Sequence, residues 1–148
     1  MTDRGDILIS LKPKHAAKIF GGKKTVELRK RRPNILPGTR VWIYATAPTA
    51  AIQGHAQLRQ IESDSPSRIW RMWGDRTGLS KDEFDSYFKS CRIAHALVLD
   101  DVMIMKRALS LKRIRKLMRN FHPPQFYFRL NGATGLMRLP ARKHRRVN

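Results

Sequence analysis

Punctuation constrains this chain more than any other feature of its sequence. Pro13, Gly21-Gly22, Pro33, Pro37-Gly38, Gly54 and Ser65-Pro66 recur through its first half, so no regular element there can run long. No internal repeat is visible, which sets aside solenoids and propellers. What remains is a succession of short strands and short helices.

Residues 7–11, ILISL, form an apolar run that predicts a strand. Pro13 then opens a helix over PKHAAKIF, with Ala16, Ile19 and Phe20 at helical spacing and Gly21-Gly22 as its stop. The stretch KTVELRK (24–30) alternates, so Val26 and Leu28 share one face of a strand while Thr25, Glu27 and Arg29 share the other. Residues on that second face stand about 7 Å apart in one row. Residues 39–46 and 50–62 read as consecutive strands, the second interrupted at Gly54 by a bulge or a close approach. Ser65-Pro66 starts a short helix. Ser80 with Glu83 is a capping box for the next one. Residues 92–105 predict one long strand or a pair, Ser110 caps a helix over SLKRIRKLMRN, and 122–130 end in a last strand. Beyond Asn131-Gly132 the sequence has no period and five basic residues, and 131–148 is expected to be a flexible basic tail following one domain over 1–130. Short strands interleaved with short helices point to a small, mixed sheet closing on itself, not to a parallel βαβ array.

Charge narrows the function. Across 148 residues, 31 Lys and Arg against 11 Asp and Glu give a net charge of +20. A field of that size repels itself in the compact state and is tolerated where a polyanion cancels it, so nucleic acid is the expected partner. No run approaches the roughly 18 apolar residues that span a bilayer, and no long basic amphipathic helix stands clear of the core pattern. Membrane binding is therefore not expected, and the polar start, MTDRGD, with the lone Cys91, fits a cytoplasmic protein without disulfides. His15, His55, His95, His122 and His144 are scattered without metal-ligand spacing, so neither a metal nor another cofactor is expected. His95, inside IAHALVL, reads as a core or sheet-face histidine, and His55 could face the mouth of the barrel.

The segment GGKKTVELR contains G-x-K-x-x-E-x-R as Gly22, Lys24, Glu27 and Arg29. It follows SLKPKHAAKIF, precedes LPGTRVWIYAT, and is complemented by PPQFYF near the end of the domain. In this arrangement the chain resembles the ASCH family, a branch of the PUA-like barrels, over roughly residues 6 to 130. The resemblance implies an α+β fold, a small PUA-like mixed β-barrel with flanking short helices, and a cleft that binds RNA or modified nucleotides. It places Lys24, Glu27 and Arg29 in that cleft, with Ser10 and Lys12 from the first strand, and Tyr44, Gln125 and Tyr127 by strand order. Some members resemble amidohydrolases of N4-acetylcytidine that carry a catalytic Thr where this chain has Glu27; Thr25 lies two residues earlier on the same face.

The chemistry of these residues has two readings. An exposed Lys–Glu–Arg strand would be an ion-pair ladder worth under about 1 kcal/mol. Inside a cleft, the cations would bind phosphate while Glu27 accepted a hydroxyl or amino proton. Metal-free RNA cleavage needs a base, cations for the developing phosphorane charge and an acid; Glu27 or a histidine could serve as the first, with Lys24, Arg29, Lys12 or Tyr44 in the other roles. The expected function is binding of single-stranded RNA in a cationic cleft, with a metal-independent ribonuclease as the alternative. The amidohydrolase and a DNA-binding regulator rank below. Alternation sends Tyr127 to the cleft and Phe126 and Phe128 to the core. Lys23, Thr25, Arg31 and Arg32 would add contacts near the motif, and Lys112, Arg113 and Lys116 of the basic helix would supply sequence-blind phosphate contacts.

Overall fold

The computed structural model describes residues 5–130 and 141–143. Strands β1 (Ile7–Leu11), β2 (Val26–Arg29), β3 (Arg40–Ala45), β4 (Ala51–Asp64), β5 (Ala94–Ser110), β6 (Phe128–Arg129) and β7 (Ala141–Lys143) form one sheet. Its order is β2-β5-β4-β3-β1-β6, with β7 on β5. Among the described residues only β1 and β3 run parallel, and the other pairings are antiparallel. The helices are α1 (Pro13–Phe20), α2 (Pro66–Trp73), α3 (Lys81–Tyr87) and α4 (Leu111–Leu117). Among the described residues β2 and β6 are not hydrogen-bonded to each other, so the mixed sheet is a half-barrel with a seam and not a closed ladder.

The apolar run of β1 is continuous because both of its faces are covered. Ile7, Ile9 and Leu11 join Val41 and Ile43 of β3 beneath Ala16 and Ile19 of α1. Leu8 on the opposite face joins Trp42, Tyr44 and Ile114 of α4. A third cluster gathers Val26 and Leu28 of β2 with Ile69, Phe84 and Phe88. Val26 and Leu28 thus share an apolar face, as the alternation predicts. The caps fall at Ser65, Ser80 and Ser110, each hydroxyl accepting from the backbone N–H three residues on. Gly54 sits at a register shift of β4, where an added Cβ would collide with the Met103 carbonyl and the Phe20 ring.

Two departures matter for function. β5 does not end at 105 but runs to Ser110, delivering Lys106 and Arg107 beside α4. Within 131–148, expected to be a flexible tail, Ala141–Lys143 pair with Met103–Met105; the rest of that segment lies outside the described residues. No helix among the described residues is long and apolar enough to cross a membrane.

Candidate functional site

A cavity of about 210 Å³ opens where β1 turns into α1 and β2 passes beside it, lined by Ser10, Lys12, His15, Lys24, Glu27, Arg29 and Tyr87 with Leu11, Leu28 and Leu79. Each element supplies its residue for a local reason. Lys12 is the residue before Pro13; it caps α1 with its backbone alone, its carbonyl accepting from His15 and Ala16, which leaves the ammonium free. His15 follows one helical turn later. Glu27 and Arg29 alternate on the face of β2 opposite Val26 and Leu28. Tyr87, the last residue of α3, reaches back so that its hydroxyl donates to the Leu28 carbonyl at 3.4 Å.

Lys24 and Glu27 are 2% and 8% exposed, which removes the exposed-ladder reading. Nor do they pair with each other: no ion pair among the described residues includes Lys24, Glu27 or Arg29. The Lys24 ammonium donates instead to the Thr77 carbonyl at 2.6 Å. One carboxylate oxygen of Glu27 accepts from the Leu28 N–H at 3.1 Å, and Arg29 Nη1 donates to the Phe126 carbonyl at 3.4 Å across the seam. The other polar atoms are left over. Of the six buried side-chain polar atoms without a partner among the described residues, Ser10 Oγ, His15 Nδ1, Glu27 Oε2 and Arg29 Nη2 belong to this cavity's lining residues. A buried polar atom without a partner costs about 1–3 kcal/mol, more when charged, so four of them on the residues that line one cavity mark a candidate site.

Titration follows the same geometry. Burial pushes the Lys24 ammonium below the ordinary lysine value, with Lys18 and Arg29 adding to the shift and Glu27 opposing it. Burial also lowers His15, reinforced by Lys24, so the imidazole is held neutral. Burial raises the Tyr87 phenol, which keeps its proton. The cavity therefore offers a carboxylate oxygen and a neutral imidazole as acceptors, facing Lys12, Lys24, Arg29 and a phenol as donors. Among the described residues no three of His, Cys, Asp or Glu gather as a metal-binding group.

The structure brings Ser10, Lys12, Lys24, Glu27 and Arg29, the residues the resemblance implies, to the lining of one cavity, together with His15, Tyr87 and Leu79. His15 carried a signal, one turn after Lys12. Tyr87 carried none, because only folding brings α3 to β2. Tyr44 does not line the cavity: it is 2% exposed, packed edge-on against Phe121, and burial raises its phenol. Tyr127 is also turned away. Its ring packs on the core under β1 and β3 and its hydroxyl accepts from the Asn34 N–H, whereas Phe126 lies beneath the Arg31 guanidinium at 4.7 Å. Phe128 joins the core beside Phe121, as expected. Lys23, Arg31, Arg32 and Gln125 are exposed outside the cavity, and Thr25, half-buried, does not line it. Lys112, Arg113 and Lys116 are exposed on α4. His55 packs at a tilt against Trp42 with ring centroids 4.5 Å apart, and His95 lies on the sheet face, bonded to the Ser63 hydroxyl.

The sequence matches the family described as a domain of unknown function, DUF365, over residues 7–127. It is 37% identical over 123 residues to an ASCH domain-containing ribonuclease of Zymomonas mobilis, covering 83% of this chain and 82% of that protein. The crystal structure of ASCH from Zymomonas mobilis superposes with a TM-score of 0.86 at 35% identity, covering 89% of this chain and 92% of that one. A third relative, the large ribosomal subunit protein uL22 of Ureaplasma parvum, is 38% identical over 93 residues, which is 62% of this chain and 30% of that protein.

Proposed function

We propose, from the premise that this chain belongs to the ASCH family, that it binds single-stranded RNA in the cavity around Glu27 and cleaves it without a metal. The observation that carries this reading is the group of buried, unpartnered polar atoms of Ser10, His15, Glu27 and Arg29. The name of the Zymomonas relative, a ribonuclease, and the charge of +20 support it.

In this scheme Glu27 Oε2 takes the proton of a ribose 2′-hydroxyl, whose oxygen attacks the adjacent phosphorus. The bond to the 5′ oxygen breaks, leaving a 2′,3′-cyclic phosphate and a new 5′-hydroxyl end. Arg29 and Lys12 balance the charge that builds on the phosphoryl oxygens. The Lys24 ammonium, made a readier acid by burial, donates to the departing oxygen. Neutral His15 and the Tyr87 phenol hydrogen-bond the sugar or base.

A second reading has one observation behind it. Glu27 is already fixed by the Leu28 N–H, a geometry equally suited to reading an exocyclic amino group of a base. The two separate in one incubation of the protein with end-labelled single-stranded RNA and EDTA, with double-stranded RNA and single-stranded DNA alongside. Shortened RNA that disappears with Glu27→Gln supports cleavage; a shifted but intact band makes this a binding module; equal products from the variant and the native protein overturn the role of Glu27.

A further inference from the structure

A second concavity, of about 450 Å³, lies between the end of β5 and α4 and shares no residue with the cavity around Glu27. Its floor is apolar: Met105, Leu109 and Leu117. Its rim is cationic: Lys106, Arg107, Arg113 and Lys116. Buried Met105 and Leu109 bracket exposed Lys106 and Arg107 where the pairing of β5 with β4 shifts register, and Arg113, Lys116 and Leu117 fall at i, i+3 and i+4 of α4. Ile114, fully buried beside Tyr44 and Phe121, anchors the flank of the helix next to Leu117 and leaves Arg113 and Lys116 outward.

An ordinary solvated basic face would set its cations against carboxylates. None of the four rim cations pairs with a carboxylate among the described residues, and no acid lines the groove. The volume falls within the range of about 300–1,000 Å³ typical of pockets that enclose small organic groups. Leu117, 46% exposed, leaves apolar surface open between positive charges.

We infer that this groove is a second seat for the same RNA strand, taking unpaired bases on Met105, Leu109 and Leu117 while Lys106, Arg107, Arg113 and Lys116 hold the flanking phosphates. Stacked or inserted bases need an apolar floor, and the backbone needs cations spaced along its edge; the groove supplies both. It suits a strand better than a lipid surface because it is concave, whereas a membrane-inserting face projects its apolar side chains. The inference rests on the RNA reading and extends it: a strand cut at Glu27 is held at a distance by a site that does no chemistry. Longer single strands then bind more tightly than short ones.

The test uses 2′-O-methyl uridine oligonucleotides, which cannot be cut by 2′-oxygen attack: a dodecamer carrying 4-thiouridine and a trinucleotide. The full-length protein is crosslinked to the dodecamer and the labelled peptides are mapped. Crosslinks in 103–117 are expected alongside those near Glu27. Leu117→Glu, on an exposed position, should weaken dodecamer binding about ten-fold or more and leave the trinucleotide unchanged; Lys116→Ala should do the same less strongly. Dodecamer binding indifferent to both variants, with crosslinks confined to the Glu27 cavity, overturns the groove and leaves the RNA reading standing. No binding of either oligonucleotide by the native protein, together with no binding of the unmodified dodecamer RNA by Glu27→Gln, overturns the RNA reading itself. Loss of binding to phosphatidylserine vesicles in Leu117→Glu, with dodecamer affinity intact, assigns the groove to a membrane instead.

Discussion

The protein holds its cations in two physically different ways. Around Glu27, Lys24 is buried and without a carboxylate partner, and Arg29 keeps one buried nitrogen unsatisfied. On α4 and the end of β5, Lys106, Arg107, Arg113 and Lys116 are exposed over an apolar floor. The first arrangement sacrifices stability, because charge is removed from water in exchange for carbonyl hydrogen bonds and no ion pair among the described residues. The second sacrifices little, because each ammonium and guanidinium remains hydrated. Desolvated groups discriminate and react, since interactions among them are strong in low dielectric; hydrated cations attract any polyanion and release it when salt rises. Under the proposed function the contrast divides the labour, with chemistry assigned to the cavity and retention to the groove.

The largest effect that would break this division is on turnover. Glu27→Gln should lower RNA cleavage by about 10²–10⁴-fold, the usual contribution of a positioned base, while binding of a long single strand changes little because the groove still holds it. Single-turnover cleavage and filter binding on the same preparation check both halves.

Acid sharpens the comparison, because neither region accounts for the main loss of stability expected there. Burial and the Arg40 guanidinium lower His55 to about 4, against the opposing influence of Asp6. Burial and Lys24 lower His15 as well. Below pH 6.5 the unfolded chain takes up protons that these rings refuse in the folded state, so stability falls as pH drops from about 6.5 to about 4. Above that window these groups contribute no dependence. The His55 shift corresponds to about 3 kcal/mol, reduced to about 2 kcal/mol because the ring is partly screened by solvent. Denaturant unfolding of His55→Gln across this range should show a shallower slope, with the smaller His15 and His95 parts remaining.

A subtler effect reaches the cavity through its support. The 77–78 turn accepts from Lys24 at the Thr77 carbonyl and from Lys18 at the Gly78 carbonyl. Gly78 has φ +70°, and a Cβ there would stand 3.1 Å from Lys18 and 3.3 Å from Lys24. Gly78→Ala should cost about 1 kcal/mol in thermal unfolding and lower cleavage more than binding, because it displaces Lys24. The smallest effect belongs to the groove: Lys116→Ala should make the salt slope of single-strand binding shallower by about 0.7, with the melting temperature unchanged.

Much of this was legible in the sequence where structure is local. Pro13 and Gly21-Gly22 bound α1 because a ring-fixed φ starts a helix and a residue without a Cβ ends it. The Ser80–Glu83 capping box forms as read, and alternation puts Val26 and Leu28 opposite Glu27. The grouping of Ser10, Lys12, Lys24, Glu27 and Arg29 was implied by the family resemblance, and in the fold β1, α1 and β2 follow one another in sequence and bring all five to one cavity. Illegible were contributions from distant elements. Tyr87 arrives through the packing of Phe84 and Phe88 against β2, and Tyr127 is drawn to the core by the loop at Asn34. The groove was hidden because the apolar period of β5 weakens at Lys106-Arg107, where the strand continues only because Ala51 and Ile52 pair with Ser110 and Leu109.

The central claim, under the proposed function, is that Lys24 and Arg29, hydrogen-bonded to carbonyls and without an ion pair among the described residues, are held in readiness for a ligand. Thermal and denaturant unfolding of Lys24→Met, beside its cleavage of single-stranded RNA, tests it most directly. An apolar side chain of similar length removes a buried ammonium, so stability should be unchanged or higher while cleavage falls by about ten-fold or more. A variant that loses several kcal/mol of stability would contradict the account, because Lys24 would then be a structural element of the fold.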